Sequence, residues 1–126
     1  EHDIVNATDM MPTILTITGT PMPNEATVDG KDISPYIKGE DGTHRPQNYL
    51  CHFPHGQHNA TLFSSYREGD WKVIFNYEHQ NWELYNLGSD IGETNNLLKK
   101  QPRKALELAM KMMAELQSQK AQFLEL

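Results

Sequence analysis

The chain holds one cysteine among 126 residues. A single thiol excludes an intrachain disulfide framework and leaves the redox compartment open. No apolar run approaches the roughly 20 residues needed to span a bilayer, and no basic segment followed by an apolar one marks a leader. The first residue is Glu1 rather than methionine, so an internal or C-terminal piece of a longer protein is expected. A glycine-rich phosphate loop, a nucleophile elbow and a helical pair of histidines flanking a glutamate are all missing. By its own motifs, the chain carries no complete active site.

Basic charge is scarce where most of the chain lies. Residues 1–98 hold 14 acidic and 5 basic side chains, whereas 99–126 hold 3 and 6, for net charges of −9 and +3. An acidic body repels a nucleic-acid backbone. Lys99, Lys100, Arg103 and Lys104 lack the interleaved aromatics of a single-strand binding groove, and read as a solvated helix start. Nucleic acid is therefore not expected as a partner, and the lack of a long apolar run gives no expectation of a membrane. Asn6-Ala7-Thr8 and Asn59-Ala60-Thr61 match the glycosylation acceptor pattern, which matters only on a eukaryotic secretory route.

The remaining composition suits one modest core. NATDMMPTILTITG predicts a helix over 8–19: Thr8 or Asn6 caps it, Asp9 favours its positive end, Pro12 fits its first turn and Gly19 stops it. Residues 20–48 are rich in proline, glycine and acids, with only DISPYIKG suggesting a helical turn capped by Ser34. So long an irregular stretch is expected to lie on another domain. QNYLCHF, TLFSSYRE, WKVIFNY and WELYNL are strand candidates joined by short turns, which implies an antiparallel meander. Pro102 opens a helix over 102–121 in which Leu106, Ala109, Met113 and Leu116 share a face, with Leu108 and Met112 beside them. The methionines read as core filling rather than a copper site. The fold class is α+β: a four-stranded antiparallel sheet packed against a long C-terminal helix, preceded by a helix and extended loop belonging to an absent α/β domain.

Chemistry concentrates in Leu50–Asn59, LCHFPHGQHN. Neutral imidazoles at His52, His55 and His58 suit zinc or copper. Residues three apart on a strand point to opposite faces, so only a turn at Pro54 and Gly56 would gather the rings. The readings left open are a metal site, edge histidines bonded to nearby backbone, and a substrate-facing wall. Cys51 lacks an activating base, because His52 projects to the other side of the strand. Arg67 and Lys72, at the ends of a hairpin turn, are expected to pair with Glu68, Asp70 or Glu83, and Trp71, Trp82 and Tyr85 to lie in the sheet core.

The order of the segments TDMMPTILTITGTPMP, VDGKDISPYIKGE, HFPHG and SYREGDWKVIFNYEHQNWELYNLGSDIGETNNLLKKQP resembles the C-terminal part of the sulfatase family, within the alkaline phosphatase superfamily. The resemblance covers nearly the whole chain. It implies a hydrolase of sulfate esters, acting on a carbohydrate or aryl substrate. In that family a cysteine or serine within Cys/Ser-x-Pro-x-Arg becomes formylglycine and attacks sulfur beside calcium. No such motif occurs here, since Cys51 is followed by His52, Phe53 and Pro54. The resemblance thus implies no catalytic residue, metal ligand or cofactor in this chain, and calcium with formylglycine in an N-terminal catalytic domain as its partner. Residues 1–46 would end that domain, and 47–126 would form the C-terminal subdomain. His52 and His55 become candidate contacts to a sulfated small molecule or glycan, His55 the better placed at the Pro54-Gly56 bend. A periplasmic or secreted location is implied, and self-association through Met10–Ile17 is expected for the piece alone. A non-catalytic binding or scaffold domain and a related phosphohydrolase are the alternatives.

Overall fold

Asn6 begins the helical part of the chain by a reciprocal cap. Its side chain accepts from the Thr8 N–H, and the Asp9 carboxylate accepts from the Asn6 N–H at 2.9 Å. The computed structural model describes residues 4–23, 27–40, 48–54 and 61–122, and divides the chain into two compact units, residues 1–46 and 47–126.

In the first unit a 3₁₀ turn, Ala7–Asp9, leads into α1, Met10–Thr18. Gly19 closes α1 in the left-handed conformation, with its N–H bonded to Thr16 and that of Thr20 to Leu15. A short helix, α2, runs Ser34–Ile37. Ser34 does not cap it: Ser34 is already helical, and Asp32 accepts from its N–H at 2.8 Å and from its hydroxyl at 2.9 Å. Aspartate holds a fuller charge toward the turn than serine, and the Ser34 N–H keeps the Asp32 carboxyl below its usual range.

The second unit is an antiparallel meander of β1 (Asn48–Phe53), β2 (Phe63–Glu68), β3 (Trp71–Asn76) and β4 (Asn81–Asn86), in that spatial order. Gly69 takes φ +58 at the first position of the two-residue β2–β3 turn, which glycine allows without strain. The register pairs Tyr66 with Val73 and Val73 with Leu84. Alternation then places Leu50, Tyr66, Val73 and Leu84 on one face, beneath α3 (Pro102–Ser118). The α+β arrangement is the one the sequence predicts.

α3 differs from expectation in two respects. Its buried residues are Ala105, Leu108, Met112 and Leu116, while Leu106 and Met113 are exposed, so the buried stripe is rotated from the expected one. The helix also stops at Ser118 rather than 121, because Lys120 turns left-handed at φ +53 and Ala121 folds back onto the core. The Ala121 N–H closes the end on the Leu116 carbonyl at 2.9 Å.

Candidate functional site

The histidine-bearing stretch begins on β1, where His52 faces Ser64 across the β1–β2 pair. Its Nδ1 lies 2.6 Å from the Ser64 hydroxyl, and its Nε2 lies 2.9 Å from the Gln122 carbonyl beyond α3. Ser64 in turn lies 2.7 Å from the Tyr77 hydroxyl, and the Tyr77 ring meets His52 edge-on at 6.3 Å. Both hydroxyl groups are buried. These partners stand 12, 13 and 70 residues apart, and no sequence signal announces them. His55 and His58, like Asn59 of the second glycosylation pattern, lie outside the described residues.

Cys51 points to the opposite sheet face, opposite Ser65, and is half-buried. Phe63, Lys72, Ile74, Asn76 and Glu83 line a cavity of about 280 Å³ on that face, together with Thr61 and Glu93. Lys72 pairs with Glu93 at 2.7 Å, not with the hairpin acids expected, because Glu93 reaches back from the turn after β4 in a left-handed conformation at φ +53. Glu68 instead pairs across to Lys111 of α3 at 2.7 Å, and Arg67 donates to the Gly69 carbonyl at 2.9 Å. Tyr85 is buried on this same face and donates to Glu83 at 2.9 Å. Burial, then the Glu83 bond and charge, push its hydroxyl up to about 12. Trp71 and Trp82 pack against the core beneath α3.

The sequence motifs outside this region hold the backbone. Asp9, fully buried, accepts from the Lys31 N–H at 2.8 Å, and Thr13 accepts from the Ile33 N–H at 3.0 Å while donating to the Asp9 carbonyl. Gly30 passes so near Thr8 that a Cβ there would stand 2.0 Å from the Thr8 carbonyl oxygen. Asp90 accepts from the N–H groups of Thr94 and Asn95, which lowers its carboxyl pKa. Asn96 accepts from the Leu84 N–H at 3.2 Å, and Leu97 donates to the Leu84 carbonyl at 2.7 Å, so this segment covers the middle of edge strand β4.

Among the described residues, no three His, Cys, Asp or Glu side chains gather closely enough to hold a metal ion. The 126 residues contain no Cys/Ser-x-Pro-x-Arg. Among the described residues, no helix is long and apolar enough to cross a membrane.

The second unit is thus a four-stranded meander under one long helix, and the first is held by the Asp9–Lys31 and Thr13–Ile33 bonds. The chain belongs to the family described as N-sulphoglucosamine sulphohydrolase, C-terminal, which it matches over residues 1–122. A sulfatase of Formosa agariphila is 36% identical over 118 residues, covering 86% of this chain and 21% of that protein. The solved structure of a 2-O GAG sulfatase superposes with a TM-score of 0.69 at 22% identity, covering 90% of this chain and 25% of that one. A phosphonate monoester hydrolase from Silicibacter pomeroyi gives 0.62 at 19%, covering 87% and 24%. The chain therefore spans only about a fifth of the curated relative and a quarter of the solved chains, whose likeness shows the fold.

Proposed function

We propose that this chain is the C-terminal part of an enzyme hydrolysing sulfate esters, acting on a sulfated carbohydrate or aryl compound. The match of the family over residues 1–122 carries the reading, and the name of the Formosa relative and the 2-O GAG sulfatase support it. In this reading the chain supplies scaffold and part of the pocket wall, and by itself does not hydrolyse. The nucleophile, formylglycine and calcium belong to an N-terminal catalytic domain, and the whole protein is periplasmic or secreted.

Residues Leu50–Asn59 form the wall, with His55 the contact to a sugar hydroxyl or neighbouring sulfate. A protonated imidazole beside an anionic sugar gains charge-assisted strength. Sequencing upstream of Glu1 tests the reading: Cys/Ser-x-Pro-x-Arg with aspartate-rich metal motifs supports it. Scaffold without that nucleophile removes the sulfatase reading and favours a phosphohydrolase relative or a binding domain. In the full enzyme His55→Ala is expected to lower kcat/KM by about tenfold, the worth of one charged hydrogen bond. An unchanged kcat/KM refutes the role.

A further inference from the structure

Resting on that reading, we propose that His52 is a positioning residue of the pocket wall and not a ligand for the sulfated substrate. Its ring locks β1 to the Ser64–Tyr77 hydroxyl pair on one side and to the Gln122 carbonyl on the other.

The proton inventory carries the inference. A carbonyl oxygen only accepts, so the Nε2 that faces Gln122 at 2.9 Å must bear a hydrogen. In the neutral ring Nδ1 then accepts from Ser64, whose oxygen accepts from Tyr77, and each hydrogen of this chain has one acceptor. In the charged ring Nδ1 donates to Ser64, which turns its own hydrogen toward the Tyr77 oxygen. Both ring nitrogens are engaged in either state, and taking Nδ1 for a sulfate would strand the buried Ser64 hydroxyl, whereas the Nε2 bond to Gln122 lies at the surface.

The clamp holds what matters to the wall. Two residues beyond His52 stands the buried Pro54, from which the chain enters the segment bearing His55. On its other side the ring fixes the segment after α3, just where Ala121 packs onto the core. The imidazole therefore sets the end of the edge strand against the closed end of the helix.

The test uses the full-length enzyme with a sulfated monosaccharide as substrate. His52→Ala is expected to raise KM by about fivefold with kcat nearly unchanged, the size of one lost neutral hydrogen bond. Ser64→Ala should raise KM alike, and the double variant should be no worse than either alone, because the two act as one unit. His52→Asn, which keeps the Ser64 bond, should recover part of the loss. If His52→Ala raises KM while Ser64→Ala and Tyr77→Phe leave it unchanged, the ring touches substrate and the proposal is overturned. Should His52→Ala fail to fold, Ser64→Ala and Tyr77→Phe decide it, the clamp requiring a KM rise in both. If the wild-type enzyme lacks sulfatase activity, the functional reading falls, and ¹⁵N spectra of the His52 ring judge the clamp separately. A fixed Nε2–H tautomer whose Nδ1 signal moves in Tyr77→Phe supports it, and a ring averaging between tautomers overturns it.

Discussion

A methyl group on Gly30 would stand 2.0 Å from the Thr8 carbonyl oxygen and 2.8 Å from the Asp9 nitrogen, both backbone atoms unable to swing aside. Gly30→Ala is therefore expected to lower the unfolding midpoint of the full protein. Lys120 presents the reverse case, a side chain at φ +53 where α3 turns left-handed. Lys120→Gly should stabilise by about 0.5–1 kcal/mol, the relieved Cβ strain less the added freedom of the unfolded chain, as read from thermal denaturation of both variants. Tyr85 supplies a pH signature. Its folded hydroxyl titrates near 12, against about 10 when unfolded, so between those values the unfolded state has released a proton that the folded state keeps. Its contribution is complete below pH about 10 and is lost as pH rises through about 12. Tyr85→Phe should flatten the alkaline fall in the unfolding midpoint without adding one at neutral pH.

Along α3 the same residue type has two fates. Leu108 is 0% exposed under the sheet and Leu106 is 63% exposed two residues earlier. Leu108→Ala should cost about 2–5 kcal/mol, from lost transfer energy and the cavity left behind. Leu106→Ala should cost under about 0.5 kcal/mol, and urea midpoints of the two variants check the pair. This contrast is where sequence reasoning fell short. The strands, their order, the Gly69 turn and the Pro102 start were legible, because alternation and turn chemistry are local. The face of α3 was not. Ala105, Leu106, Leu108, Ala109, Met110, Met112 and Met113 make an apolar arc too wide for periodicity to choose its centre, and the choice falls to the side chains offered by Tyr66, Val73 and Leu84.

For the molecule as a whole, legibility divides the same way between local and distant. His52 stood out in the sequence, but its partners Ser64, Tyr77 and Gln122 converge only through strand register and the closing turn after α3. The Glu93 partner of Lys72 was hidden for the same reason. Of the motif bonds, only those of Asp90 to Thr94 and Asn95 are local, whereas Asp9 holds Lys31 and Asn96 holds Leu84 across 22 and 12 residues, so the motifs were readable as residue order and their contacts were not. What those bonds leave unexplained is α1. Met10, Met11, Ile14 and Ile17 stand 45–59% exposed on a helix whose only buried residues are Pro12 and Thr13. A run of large apolar side chains at that exposure marks a surface that associates. The 126-residue polypeptide alone is expected to self-associate through it, with a weight-average mass by sedimentation that climbs above 14.4 kDa as concentration rises, and to bind a hydrophobic dye. Replacing Met10, Ile14 and Ile17 with glutamine should suppress both signals, since the substituted positions are solvent-facing and leave the Asp9–Lys31 and Thr13–Ile33 bonds in place. A full-length protein showing neither signal, beside a polypeptide showing both, would locate the cover of α1 in the remainder of the protein. A polypeptide that stays monomeric and dark to the dye at all concentrations would mean that α1 does not self-associate.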